Sequence, residues 1–314
     1  MDIKKKILIL GARGFIARNI YHKLNIANAE LIFQDKEACN LYHLDSIQQS
    51  LFEHKPTIII NCAGIIGSSL SNKTKDQLDI FHSNIKININ LLDAIKDATY
   101  VKQVIFFSSY RCFSKNKQII QEEPMYDNFD LNNILDDANS GYLVSKIMLE
   151  FQIKILSKNS NIIINNLYLP NIFGSFDYFN ENSRIVPSLI YKIINLKKCA
   201  QPILKNKCHL NISLNLLYVD DLIKIIETII LKNINCGNLI IYNSNNTFTL
   251  DRLIYVLNTQ IYSDLDVLFD CPETLSTLPH YNNDKFNSLF PNFIFTPIHE
   301  SLDQTINHYL TNYN

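Results

Sequence analysis

Short uninterrupted apolar runs alternate along the chain with stretches whose apolar positions recur every three or four residues. Ile7-Leu8-Ile9-Leu10 lies between lysines and Gly11. Such a run, bounded by charge and a turn former, predicts a strand buried on both faces. Residues 15–24 have helical spacing, 30–34 predict a second strand, 46–53 a helix, and 57–60 a strand that turns at Asn61-Cys62-Ala63-Gly64. Residues 84–97 place Ile85, Ile89, Leu92 and Ile95 on a helical stripe. A strand at 103–107 ends in Ser108-Ser109, a long helix covers 142–156, and a strand covers 162–169. This alternation predicts an α/β fold, a Rossmann-like doubly wound parallel sheet built from right-handed crossovers.

The rhythm changes after Gly174. Helices are predicted at 187–196, 220–231, 249–257 and 301–313, and strands at 216–219 and 239–242. The expected organisation is a dinucleotide-binding domain over 1–174, with returns to it at about 214–245. A smaller α/β substrate-binding region makes up most of 175–314.

Composition removes several classes of function. Of 314 residues, 47% are apolar and 19% charged, enough to bury a core and exclude disorder over most of the length. The 29 basic and 30 acidic side chains leave no positive excess for a nucleic-acid backbone. No apolar run is long enough to span a membrane, and the basic start runs straight into a short strand and Gly11, unlike a signal peptide. The seven cysteines (39, 62, 112, 199, 208, 236 and 271) are odd in number and show no C-x-x-C spacing, and His22, His43, His54 and His82 are scattered. Reduced thiols, a cytoplasmic protein and no metal site are expected.

Three motifs carry chemistry. Gly11-Ala12-Arg13-Gly14-Phe15-Ile16-Ala17 follows the first strand and opens a helix. The glycines let backbone approach a pyrophosphate at the helix N-terminus, and Ala17 allows close helix–strand packing. Asp35, at the end of the second strand, suits the ribose hydroxyls of NAD, whereas Arg13 and Lys36 suit the 2′-phosphate of NADP. The two signals oppose each other. Cys62, in apolar surroundings, reads as a small buried hydrophobe rather than a nucleophile. Tyr142-Leu143-Val144-Ser145-Lys146 sets a phenol and an ammonium one helical turn apart. The cation is expected to lower the phenol's pKa and let it exchange a proton with a ketone or hydroxyl, which Ser109 would also contact.

At these residues the chain resembles the extended short-chain dehydrogenase/reductase (NAD-dependent epimerase/dehydratase) superfamily over nearly its whole length. The glycine loop, Asn61 to Gly64, Ser109, Tyr142/Lys146, Tyr218-Val219-Asp220-Asp221 and Tyr242-Asn243-Ser244 appear in the superfamily's order. Within it the chain is most similar to the GDP-L-fucose synthases. Gly11-Ala12-Arg13-Gly14 resembles their G-x-R-G loop, and the 171–187 segment N-I-F-G-S-F-D-Y-F-N-E-N-S-R-I-V-P resembles their N-L-Y-G-P-x-D-N-F-x-P-x-N-S-H-V-I-P. The resemblance implies a GDP-4-keto-6-deoxysugar substrate, NADPH (with NAD(H) as the other option) and a cytoplasmic homodimer that feeds surface polysaccharides. It gives the catalytic roles to Ser109, Tyr142 and Lys146. Its cofactor wall would be Gly11, Arg13, Gly14, Phe15, Ile16, Asp35, Lys36, Asp45, Cys62, Ala63, Gly64, Leu169, Asn171 and Ile172, with Tyr142 and Lys146. Its substrate wall would be Ser109, Tyr110, Arg111, Asn171, Arg184 and Ile185.

The departures from that family are specific. Its epimerase cysteine and histidine positions hold Arg111 and Arg184, and arginine stays protonated near neutral pH. Cys112 is one residue off, which in a continuing strand would turn it to the other face. Leu214 stands where an arginine usually meets the diphosphate, leaving Arg184, Lys192 or Lys205 to supply charge. The expected activity is therefore C4-keto reduction of a nucleotide sugar, a 6-deoxyhexose or heptose, without C3/C5 epimerisation. A bifunctional epimerase-reductase, an NAD-dependent 4-epimerase or C4 dehydrogenase, and a non-catalytic cofactor-binding regulator are the alternatives.

Overall fold

The computed structural model describes residues 5–66, 76–114, 119–120, 125–129, 131–135, 137–199, 203–206, 213–262, 266–269 and 280–313. The apolar run at 7–10 lies in the strand Lys5–Leu10 and is almost wholly buried. Side chains alternate across the strand: Ile7 and Ile9 join one core cluster, Leu8 and Leu10 another. The sheet thus has a core on each face, which is why its strands read as unbroken hydrophobic runs.

Six parallel strands run in the order Asn238–Ile240, Ile163–Leu169, Gln103–Ser109, Ile58–Asn61, Lys5–Leu10, Ala29–Gln34. The chain leaves Lys5–Leu10 to one side for Ala29–Gln34 and crosses back to the other for Ile58–Asn61. The order reverses there, so a crevice opens beyond the C-terminal ends of these two strands. Gly11 and Cys62-Ala63-Gly64 lie at that crevice.

Of the stretches expected to return at 214–245, Asn238–Ile240 pairs with Ile163–Leu169 in the main sheet. Ser213–Tyr218 lies instead in a three-stranded sheet, between Asn171–Phe173 and Thr247–Thr249. Pro170 gives a reason: it has no N–H for a ladder, so Ile163–Leu169 ends and the chain departs as Asn171–Phe173.

Two helices extend beyond their apolar stripes. Gln77–Lys96 starts well before residue 84 because the Asp76 carboxylate accepts from Leu78 N–H at 3.0 Å and caps it. Ser140–Asn159 starts two residues before Tyr142. The two helices meet at their N-terminal ends, where Gly141 N–H donates to Gln77 Oε1 at 3.1 Å. Among the described residues no helix is long and apolar enough to cross a membrane, and no three His, Cys, Asp or Glu side chains could share a metal ion. Cys208, Cys271 and the side chain of Lys205 lie outside the described residues.

Candidate active site

The glycine loop forms the floor of the crevice. Gly11 has φ +77°, in the left-handed region, and a Cβ there would stand 2.7 Å from Ala63 N and 2.8 Å from Ala63 Cα. Only glycine allows the two strand exits to approach this closely. Gly14 caps the helix Phe15–Lys23 without a side chain, and its own N–H donates to Gly11 carbonyl at 2.9 Å. The helix's first N–H groups have no side-chain cap, and the helix dipole adds partial positive charge. Ala17 is fully buried. The loop fits a dinucleotide pyrophosphate: a small-residue cradle that any added Cβ would fill, at a helix N-terminus.

At the adenosine end, Asp35 is fixed by its backbone. Its Oδ1 accepts from Glu37 N–H at 3.0 Å and Ala38 N–H at 3.1 Å. The Ala38 bond in particular, then Glu37 and the Arg13 charge, holds the carboxyl below the usual carboxylate range despite some desolvation. Arg13 Nη2 lies 2.7 Å from Asp35 Oδ2 and 3.0 Å from Glu37 Oε1. The opposing signals in the sequence are thus one cluster, with Glu37 as a third member. Lys36 is exposed and sits 5.1 Å from the Tyr42 ring centroid. Asp45 is exposed in the first turn of the helix Leu44–His54. Arg13 can exchange its carboxylates for a 2′-phosphate. Arg13→Ala should therefore weaken NADPH about tenfold more than NADH in a fluorescence titration, the scale of one lost charge-assisted contact. Equal weakening of both would show that Arg13 does not read the phosphate.

Ser109 ends its strand opposite Leu169, and the chain turns in a single 3₁₀ turn, Tyr110–Cys112. Ser109 Oγ accepts from Arg111 N–H at 3.3 Å. Tyr142 and Lys146 are half-buried in the first two turns of Ser140–Asn159, with Lys146 Nζ 5.6 Å from the Tyr142 ring centroid. Burial lowers the ammonium of Lys146 to about 8. Burial also raises Tyr142, helped by Cys112, against a downward pull from Arg111 and Arg184. The expected depression of Tyr142 by Lys146 is therefore corrected. Desolvation of the phenolate outweighs the nearby charges, and the phenol keeps its proton at neutral pH. An added Cβ at Gly64 would lie 3.9 Å from Lys146 Nζ, so Gly64 and Lys146 border the same space.

Arg111 and Arg184 each have their own acid. Arg111 Nη2 lies 2.8 Å from both Asp137 oxygens. Arg184 forks onto Asp177, Nε to Oδ2 at 3.0 Å and Nη2 to Oδ1 at 2.8 Å, and sits 4.2 Å from the Phe15 ring centroid. Asp177 is 2% exposed. Cys112 is wholly buried, its thiol 3.6 Å from the Leu143 carbonyl, and burial pushes it up to about 12. The strand does not continue through residue 112, so the alternation argument does not apply. The 3₁₀ turn aims the thiol inward instead. Cys62 packs against the larger core cluster and burial raises its thiol strongly.

The remaining wall residues divide. Tyr110, Leu169 and Ile172 are buried core side chains. Asn171 spends its amide N–H groups on Tyr110 Oη at 2.7 Å and the Asn215 carbonyl at 3.1 Å. Ile16 and Ile185 are half-buried, Ile185 at the start of the helix Ile185–Lys198. Leu214 is buried in Ser213–Tyr218. Glu37, Asp137 and Asp177 were missed from sequence. Their only signal is an acid near an arginine once the chain is folded.

The sequence profile of the NAD dependent epimerase/dehydratase family matches residues 7–243. GDP-L-colitose synthase of Yersinia pseudotuberculosis is 28% identical over 191 residues, 60% of each chain. The chain spans about 60% of the length of the curated relatives it matches. Among solved structures, a GDP-L-fucose synthetase from Naegleria fowleri bound to NADP superposes with a TM-score of 0.82 at 19% identity, covering 100% of this chain and 95% of that one. A GDP-6-OMe-4-keto-L-xylo-heptose reductase from C. jejuni superposes at 0.83 and 15% identity, over 99% of both chains.

Proposed function

The chain belongs to the NAD dependent epimerase/dehydratase family, and from that premise we propose that it reduces the C4 ketone of a nucleotide sugar with hydride from NADPH, leaving C3 and C5 uninverted. The substrate class is a GDP-4-keto-6-deoxyhexose or heptose, in keeping with the names of its relatives and structural neighbours. The Gly11–Gly14 turn and the helix behind it hold the pyrophosphate, and Asp35, Arg13 and Lys36 take the adenosine ribose end. Gly64 and Lys146 border the nicotinamide ribose. When bound there, NADPH would be the source of the hydride that C4 takes up. The Tyr142 hydroxyl gives its proton to the C4 oxygen, Ser109 Oγ holds that oxygen by a hydrogen bond, and Lys146 steadies the phenolate left behind. Ketone, hydride and proton together make the secondary alcohol. A cytoplasmic homodimer feeding surface polysaccharide synthesis completes the reading.

One observation carries the claim of reduction alone. Inversion beside a ketone needs groups that take and return a C–H proton. Cys112 is buried against Leu143, and the family's epimerase positions hold arginines, an exposed Arg111 tied to Asp137 and a half-buried Arg184 tied to Asp177. The test is incubation with GDP-4-keto sugars and NADPH in deuterated water. Reduced product should carry no enzyme-dependent deuterium at C3 or C5. Incorporation that Cys112→Ala abolishes would show an epimerase built on the buried thiol. A second reading, an NAD(H)-dependent C4 dehydrogenase or 4-epimerase, is favoured by the two carboxylates around Arg13. Preference for NADH in the same assay would select it.

A further inference from the structure

We infer that His308 is a positioning residue: its ring nitrogen fixes the turn at 174–179, and through Asp177 that turn holds Arg184 on the substrate wall. The inference rests on the reading of Arg184 as a substrate contact.

Phe176 is half-buried and has φ +65°, in the left-handed region that a bulky side chain rarely adopts. Such a residue keeps that conformation only where its surroundings impose it. Two helices do so here. From Phe15–Lys23, the His22 ring stacks on the Phe176 ring at 4.2 Å, and Arg18 sits 5.7 Å from its centroid. The same helix grips Ser175, whose carbonyl accepts from Asn19 Nδ2 at 2.8 Å. From the closing helix Ile298–Asn312, the His308 ring packs edge-on against Phe176 at 4.5 Å, and its Nε2 accepts from Phe176 N–H at 3.3 Å. Beside it, Tyr309 donates its hydroxyl to the Gly174 carbonyl at 3.0 Å and stacks on Phe179 at 4.1 Å.

The donor is a backbone N–H, so His308 Nε2 must be the bare nitrogen of a neutral ring. Asn312 Nδ2, 3.4 Å from Nδ1, gives a hydrogen to the His308 carbonyl at 2.7 Å. A second proton on the ring would set a donor against a donor. It would also add charge beside Arg18, His22 and Lys23 of the neighbouring helix. Lys23 is already paired with Asp220, and Asp177, the acid of the turn, is taken by Arg184. Burial, then Lys23, Arg18 and His22, hold the imidazole below its ordinary value. The gripped turn thus excludes a proton that the released turn accepts. The grip is full at neutral pH and weakens as pH falls below about 6.5. Asp177 follows Phe176 directly, so release of the turn moves the carboxylate that fixes Arg184. Ser109, Tyr142 and Lys146 lie on other elements and stay in place.

The test compares wild type with His308→Gln, whose amide oxygen can still accept from Phe176 N–H but does not titrate, and with His308→Leu, which has no acceptor. Between about pH 7.5 and about pH 5.5, KM for a GDP-4-keto sugar should rise about tenfold more in wild type than in His308→Gln, with kcat changing alike in both. His308→Leu should show the raised KM already at the higher pH. Parallel KM profiles in wild type and His308→Gln would overturn the inference, whether or not His308→Leu folds. Wild type that reduces no GDP-4-keto sugar would overturn the proposed function instead. Protection of the Phe176 amide against hydrogen exchange, which needs no substrate, then decides the role of His308. That protection should fall with pH in wild type alone, and the same fall in His308→Gln would overturn the role.

Discussion

Replacing Tyr142 by Phe should lower turnover by about 10²-fold or more, the usual scale for losing a positioned general acid. The ring stays, and with it the packing of a half-buried residue between Ser140 and Lys146, so the fold and the binding of NADPH should persist. What goes is one proton. The burial that raises the phenol's pKa makes it a poor base but keeps it loaded as a donor across the neutral range. Arg111 and Arg184 oppose that rise and would favour the phenolate once the proton has moved. Among the described residues at the site, Ser109 offers only a weakly acidic alcohol, and Lys146 stands one helical turn from Tyr142. Single-turnover oxidation of NADPH in the presence of a GDP-4-keto sugar would measure the loss. A Tyr142→Phe variant that turns over like wild type would remove Tyr142 from the mechanism.

Much of this architecture was legible because the parallel sheet is buried on both faces. Its strands appear as unbroken apolar runs, and the glycine loop gains meaning from following the first of them. The placement of Ser109 at a strand end and of Tyr142 and Lys146 one helical turn apart was legible because both are local features. Contacts between distant segments were not. The sheet loses Ser213–Tyr218 to a second layer because Asn171–Phe173 leaves at Pro170, and periodicity carries no record of which neighbour a strand finds. The pairing of Arg184 with Asp177 and of Arg111 with Asp137 depends on loops folding back. Asn84 is one of several polar residues in the helix Gln77–Lys96, and only the position of Ile65, whose N–H and carbonyl its amide bonds, shows why it is buried. The inward aim of Cys112 comes from a three-residue turn too short to leave a pattern.

Gly141→Ala should cost both stability and activity, although it adds a single methyl group. A Cβ at this position would lie 1.9 Å from the Gln77 carbonyl oxygen and 2.8 Å from its carbon. Both are backbone atoms, so no rotamer change relieves the overlap. The N-terminal ends of Gln77–Lys96 and Ser140–Asn159 would have to part by more than an ångström. Overpacking of this kind typically costs about 1–3 kcal/mol, which lowers the melting temperature by several degrees in a chain of this size. The gain in helix propensity on replacing glycine with alanine, under about 1 kcal/mol, does not offset it. Tyr142 is the next residue, and Gly141 N–H would lose its bond to Gln77 Oε1. Displacements of about 1 Å at a reacting group can cost about 10²-fold in rate, so turnover should fall well beyond what the remaining folded fraction explains. Melting curves with and without NADPH, set beside turnover at a temperature where the variant is folded, separate the two effects. Wild-type stability and turnover in Gly141→Ala would mean that the two helices are not in the contact that places Tyr142.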